Sequence, residues 1–184
     1  MKTMSLCRRL INKMSLWSVL SSCLVSCAAR DPETEAYHHF LGDCSNRISR
    51  EYNLECYGSG GSRPDKIQVV KFFFNSSEQM NVQQARRLSV AVAEKMIHEM
   101  NTDQKLRLYL QDYPATYKNI IALIAFEKIK RDDRNTECLH CVIIGSRDFI
   151  SYIKEDSNTG RLYDAYEEPL TEAKRILAEE EQCT

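Results

Sequence analysis

Cysteine carries most of the chemistry available to this sequence. The chain has 184 residues, of which eight are Cys. "CLHC" places Cys138 and Cys141 at the Cys-x-x-Cys spacing of thiol-redox pairs, in which a helix terminus lowers one thiol pKa. "CVIIGS" follows, however, and reads as strand, where positions i and i+3 face opposite sides and two thiols do not readily meet. Cys138, His140 and Cys141 lack a fourth ligand at any usual zinc spacing, so no metal site is expected. Cys44 and Cys56 flank an irregular segment and are the candidate disulfide. A bond closing a loop of about a dozen residues contributes ~3 kcal/mol in the chain-entropy model. Cys183, on the tail, is an odd thiol that could join two chains. Cys27 stands apart: it ends an apolar run and is followed by "AAR".

Other reactive side chains lack a context. "GSGG", Gly58 to Gly61, has neither the Lys nor the Ser/Thr of a phosphate-binding loop and reads as a flexible turn. His38, His39 and His98 read as solvated side chains. No Ser, Cys or His sits in a nucleophile elbow or triad. Glu127 with Asp132 and Asp133, and Asp164 with Glu167 and Glu168, read as solvated charge runs at strand ends. Six tyrosines (Tyr109, Tyr113, Tyr117, Tyr152, Tyr163 and Tyr166) cluster around the strands and their loops. They suit amphipathic packing at sheet edges or recognition of a protein or glycan.

The leader explains Cys27. Residues 1–26 hold Lys2, Arg8, Arg9 and Lys13 and no acid, then the uncharged run "MSLWSVLSSCLV", Met14 to Val25. At 1.5 Å per residue that run is about 18 Å long, short of a bilayer core of ~30 Å. A basic head and a short apolar middle make an export signal. Leu24-Val25-Ser26-Cys27 then resembles the lipobox of bacterial lipoproteins. The resemblance covers residues 1 to about 30. It implies alkylation of the Cys27 thiol by a diacylglycerol group, cleavage just before Cys27, and N-acylation of the new terminus. Two or more chains anchor stably where one does not. The alternatives are a non-lipidated signal cut after "CAA" and an uncleaved anchor, the latter disfavoured by length. "CRRLINK" is similar to a twin-arginine signal but has Ile11-Asn12 where a bulky apolar pair is usual, so general secretory export is the simpler reading. Ala28, not Asp, follows Cys27. Among lipoproteins this favours the outer membrane, where the organism has one.

Export removes four of the 25 basic residues and none of the 26 acidic ones, leaving an acidic body. An acidic surface argues against nucleic acid as a partner. The expected organisation is a signal peptide at 1–26, a lipidated Cys and polar tether at 27–36, and a single domain at 37–184. Within that domain a first, irregular helix is expected around 36–52, followed by a break at "YGSGGSRPD". "IQVVKFFF", Ile67 to Phe74, reads as a buried strand. Val82, Ala85, Leu88, Val92, Met96 and Met100 recur at helical spacing, with Asn81 as N-cap. Leu106, Leu108 and Leu110 alternate as a half-buried strand would. Strands are expected at 120–129, 138–146, 149–153 and 161–166. A last helix, opened by Pro169, is expected to run from Leu170 to about Glu181. The fold class is α+β, a mainly antiparallel sheet of about five strands with helices packed on one face.

The leading functional expectation is a non-enzymatic, lipid-anchored envelope protein that binds a protein or glycan partner or supports an assembly. It needs no cofactor beyond the covalent lipid. The competing expectation is an envelope enzyme, either a thiol-redox protein using Cys138 and Cys141 or a hydrolase. A ligand carrier would need a large apolar pocket.

Overall fold

The computed structural model describes residues 31–62, 65–127, 139–145, 147–156 and 158–182. The chain divides into two units, Met1–Glu35 and Ala36–Thr184. Of the first, only residues 31–35 are described, so the lipobox Leu24–Cys27 lies outside the described residues, as do Cys138, Asp132, Asp133 and Cys183.

Helix α1 runs Pro32–Tyr52, starting four residues before the expected position. Pro32 is tolerated in a first turn because its missing N–H would have no intrahelical partner there. Glu33 and Glu35 favour the same end electrostatically. Tyr37, Phe40, Leu41, Cys44 and Ile48 form its buried stripe. Strand β1, Leu54–Ser62, occupies the stretch expected to be irregular. Its glycines are what let it pair. A Cβ on Gly61 would lie 2.1 Å from the Val69 carbonyl oxygen and 2.3 Å from the Tyr37 hydroxyl, so only glycine fits this close approach. β2 is Val69–Ser76, and Ile67 makes an isolated bridge to Leu110 just before it.

Helix α2, Val82–Thr102, follows its apolar stripe closely. Asn81 caps it through a capping box: its side chain accepts from the Gln84 N–H, and the Gln84 side chain accepts from the Asn81 N–H. The expected strand at Leu106–Leu110 is absent, and a 3-10 turn spans Leu106–Leu108 instead. The Asp103 carboxylate accepts from the N–H groups of Lys105 and Leu106, which winds the chain into a turn. Leu106 and Leu110 are buried while Leu108 is 68% exposed. A second short turn, Tyr117–Asn119, leads into β3, Ile120–Phe126. Strands β4, Cys141–Gly145, β5, Phe149–Glu155, and β6, Leu162–Pro169, complete the sheet. Pro169 closes β6 rather than opening the last helix, and α3 is Leu170–Gln182.

The sheet therefore has six strands in the order β1-β2-β3-β4-β5-β6. All neighbours are antiparallel except β2 and β3, which are parallel because α2 carries the chain back between them. Register aligns Val70, Phe72 and Phe74 with Ile120, Ala122 and Ile124, and these with Val142 and Ile144, then Ile150 and Tyr152. This inner face joins the apolar stripes of the helices in one core. The α+β class with helices on one face holds, with six strands rather than five.

Arg86 and Glu168 tie the helix layer to the far edge strand. The Arg86 Nε–H donates to Glu168 Oε1 at 2.7 Å and the Arg86 NH2 group to Oε2 at 3.0 Å, a bidentate pair. Tyr152 donates to the same carboxylate at 2.5 Å, and Tyr166 stacks on Tyr152 with ring centroids 5.6 Å apart. Glu168 is 1% exposed. Its bond to Glu168, first of all, raises the Arg86 pKa, so the cation persists at any working pH. Burial, then the bond to Glu168, pushes Tyr152 above its ordinary value and keeps it a donor. Glu168 had read as part of a solvated run. It sits instead in a strand, facing the core between Ile150 and the guanidinium. Arg86→Met alone is expected to lower unfolding stability by ~3–5 kcal/mol, because it strands a buried carboxylate. Adding Glu168→Leu and Tyr152→Phe is expected to recover most of that loss, as measured by urea denaturation.

Candidate binding surface

The other face of the sheet is the largest feature left without a cover among the described residues. Because side chains alternate, the residues between the buried ones point away from the helices. The central rung is Phe73 on β2, Leu123 on β3, Ile143 on β4 and Ser151 on β5, ending at Glu167 on β6. One flanking rung holds Lys71, Ile121, Gly145 and Phe149; the other holds Asn75, Ala125, Cys141, Ile153 and Asp164. Phe73, Ile121, Leu123, Ile143 and Ile153 are half-buried, and Cys141 on the same face is buried. Phe149 is 47% exposed and Tyr57 is 54% exposed. Tyr57 tilts onto Phe73, ring centroids 6.1 Å apart.

This face has the anatomy of an interface, an apolar centre with a polar margin. The margin carries exposed Glu55 on β1 and Lys71 on β2 at one side, and Asp164 and Glu167 on β6 at the other. Ser151 donates to Glu167 at 2.7 Å and so holds that carboxylate in place. Beside Phe73 and Lys71 the edge strand presents Gly58 and Gly60, while Tyr57 of the same strand leans onto the Phe73 ring. The Phe73 ring lies 3.1 Å from where a Gly58 Cβ would be, so the aromatic ring covers the glycine backbone.

The sequence hinted at this face in one place. "IIALIAF" is apolar at every position, whereas a strand with one solvated face alternates. A cleft of about 560 Å³ lies beyond the end of β2 and β3, lined by Asn53, Glu55, Asn75, Ser77 and Glu127 among others. Its lining is mainly polar, and nothing in it converges on a common point. Glu127 is exposed there.

The thiols take no such arrangement. Cys44 and Cys56, the candidate pair, are both free thiols in the structure. Cys44 is sealed in the α1 stripe, while the Cys56 thiol donates to the Gly58 carbonyl oxygen at 3.4 Å. Burial first, and the Glu99 carboxylate next, pushes the Cys44 thiol up to about 12. Cys141 starts β4, and burial, with Asp164 adding to it, pushes its thiol up to about 11. That shift is opposite to the one a redox nucleophile requires. His38, His39 and His98 are exposed, and His39 lies 3.2 Å from Asp43. No group of three metal-ligating side chains occurs among the described residues. Of the tyrosines, Tyr152 is buried and Tyr117 donates to Glu94 at 3.1 Å. Tyr113, Tyr163 and Tyr166 are about half exposed. No family model, curated protein or solved structure matches this chain.

Iodoacetamide at pH 8, with modification mapped by mass spectrometry, is expected to label Cys56 in the native protein. Cys44 and Cys141 are expected to react at least ~10-fold more slowly and to catch up in urea. Cys141 labelling as fast as Cys56 would return it to consideration as a reactive thiol.

Proposed function

We propose that this protein is a lipid-modified bacterial envelope protein acting as a non-enzymatic binding or assembly module. Acyl chains on Cys27 attach it to a membrane, with the outer membrane favoured where there is one. The uncovered face of its sheet engages an envelope partner. The observation that carries the module reading is the apolar face centred on Phe73, Leu123 and Ile143, bounded by charge and covered by no described element. Contiguous exposed apolar surface on a folded domain is the usual mark of an interaction site. Leu24-Val25-Ser26-Cys27, placed directly after a basic head and a short apolar run, supports the anchor. Among the described residues, no helix is long and apolar enough to cross a membrane.

The raised pKa of Cys141 weighs against the thiol-redox alternative. Against a hydrolase stands the absence, among the described residues, of convergent polar groups in a cleft. Substituting Cys27→Ser is expected to abolish incorporation of labelled palmitate and to release the protein from the membrane fraction. A serine variant that still takes up label, and still partitions into detergent, would contradict the anchor.

A further inference from the structure

We infer that the end of the domain formed by residues 103–119 faces the membrane, with Leu108 and Tyr113 entering the headgroup layer of the lipid. This deepens the proposed anchoring and rests on it. The surface is a different one from the uncovered sheet face.

The connection from α2 to β3 covers 103–119, well beyond the roughly two to six residues usual between such elements. It is firmly braced. Asn101 donates from its side chain to the Ala115 carbonyl oxygen at 3.0 Å and accepts from the Ala115 N–H at 2.7 Å. Ile67 donates to the Tyr109 carbonyl oxygen at 2.9 Å and accepts from the Gln111 N–H at 3.0 Å. Leu106 and Leu110 are held inside. Leu108, between them, is turned out and 68% exposed, more than any other large apolar side chain among the described residues. Tyr113 stands on the same connection, 56% exposed, with its hydroxyl on the Asn101 carbonyl at 3.5 Å. A leucine tip with a tyrosine beside it suits the boundary between headgroups and acyl chains.

The charges around the tip fit that boundary. Lys105 and Arg107 are exposed. Side chains three apart eclipse in a 3-10 turn, so Lys105 stands beside Leu108. Such stems lie along apolar surface while their heads reach phosphate oxygens. The nearest acids in sequence turn inward. Asp103 accepts from the N–H groups of Lys105 and Leu106, and Asp112 accepts from the Asn119 side chain at 3.5 Å. Farther out, Lys66, Lys118 and Arg147 stand against Asp65 and Asp148, and Glu33 and Glu35 lie one turn before Tyr37. The acids offset the bases, so the contact is apolar rather than electrostatic and a zwitterionic lipid suffices.

The anchor selects lipid as the occupant. The Tyr37 hydroxyl approaches Gly61, whose register partner Val70 pairs with Ile120 at the start of β3. Tyr37 and the end of the 103–119 connection therefore lie at one end of the domain. Ten residues separate Cys27 from Tyr37, at most about 35 Å of chain. Acyl chains on Cys27 keep this end nearest the bilayer. The opposite end lies about 23 Å away along the seven residues of β3. The strands then rise from the membrane, and the uncovered sheet face looks along it, open to a partner.

Trp17 is the one tryptophan of the chain, and on the proposed reading it leaves with the signal. Leu108→Trp and Tyr113→Trp then each place a single reporter in the mature protein. Asn158→Trp, in the turn after β5 at the opposite end, is the reference. The full chain is expressed, purified in its lipidated form and reconstituted in phosphatidylcholine vesicles with plain or brominated acyl chains. Brominated chains are expected to quench the reporters at 108 and 113 about twofold and to leave the one at 158 unchanged. If Leu108→Trp departs from the wild-type far-UV spectrum, Tyr113→Trp carries the test. Vesicle-bound protein whose reporters at 108 and 113 are quenched no more than the one at 158 overturns the membrane-facing end and leaves the anchor standing. Tryptophan emission from the wild-type protein, or failure to bind vesicles, overturns the anchor and this contact with it.

Discussion

A bidentate ion pair between Arg86 and Glu168, buried and shared with the Tyr152 hydroxyl, fixes how this sheet meets its helices. Such a pair does little for net stability compared with a well-packed apolar replacement, but it is costly to break from one side. It therefore acts as a specification. β6 is an edge strand whose residues Leu162 to Glu167 are all exposed, and it has few apolar contacts with which to hold its register. A slip of one residue would turn Glu168 away from the core and leave Arg86 buried without its anion. The pair therefore fixes which side of β6 faces the helices. Asp164 and Glu167 consequently stand on the opposite side.

The helix layer is tied together by similar means. Lys95 bridges Glu51 of α1 at 2.8 Å, Arg47 of α1 pairs with Glu99 of α2, and Arg87 of α2 meets Glu180 of α3 at 2.8 Å. With these links the three helices occupy one face, and their stripes supply one core with the inner residues of β2 to β5. None of the described elements is left for the second face. A sheet that is apolar on both sides and helical on one side is an unfinished sandwich, and that geometry underlies the binding role proposed for this domain.

Much of this was legible in the sequence wherever a periodic signal agreed with local chemistry. α2 was readable because its stripe from Val82 to Met100 begins at a capping asparagine. The meander from β3 to β6 was readable because short apolar runs alternate with turn residues. β1 was hidden because "YGSGGS" carries turn composition, and its pairing depends on a close approach to Val69 that only the tertiary structure creates. Leu106 to Leu110 misled because three leucines at period two imitate a strand, while Asp103 bends the chain into a turn. Arg86 and Glu168 were missed for a different reason. Burial of a charge depends on a partner 82 residues away, and neither residue alone distinguishes itself from a solvated one. The second face was faintly visible in "IIALIAF", but a run of that kind says only that both sides are apolar, not that one lies bare.

The central claim is that neighbouring residues on the same strands lead different lives: inner ones permanently covered, outer ones covered only by a partner. Hydroxyl-radical footprinting read by mass spectrometry compares them directly, in the dilute purified chain and in native membranes. The account predicts that Phe73, Leu123 and Ile143 are oxidised in dilute solution and protected in membranes, while Phe72, Ile124 and Ile144 are protected in both. Equal oxidation of the outer residues in the two states would contradict it.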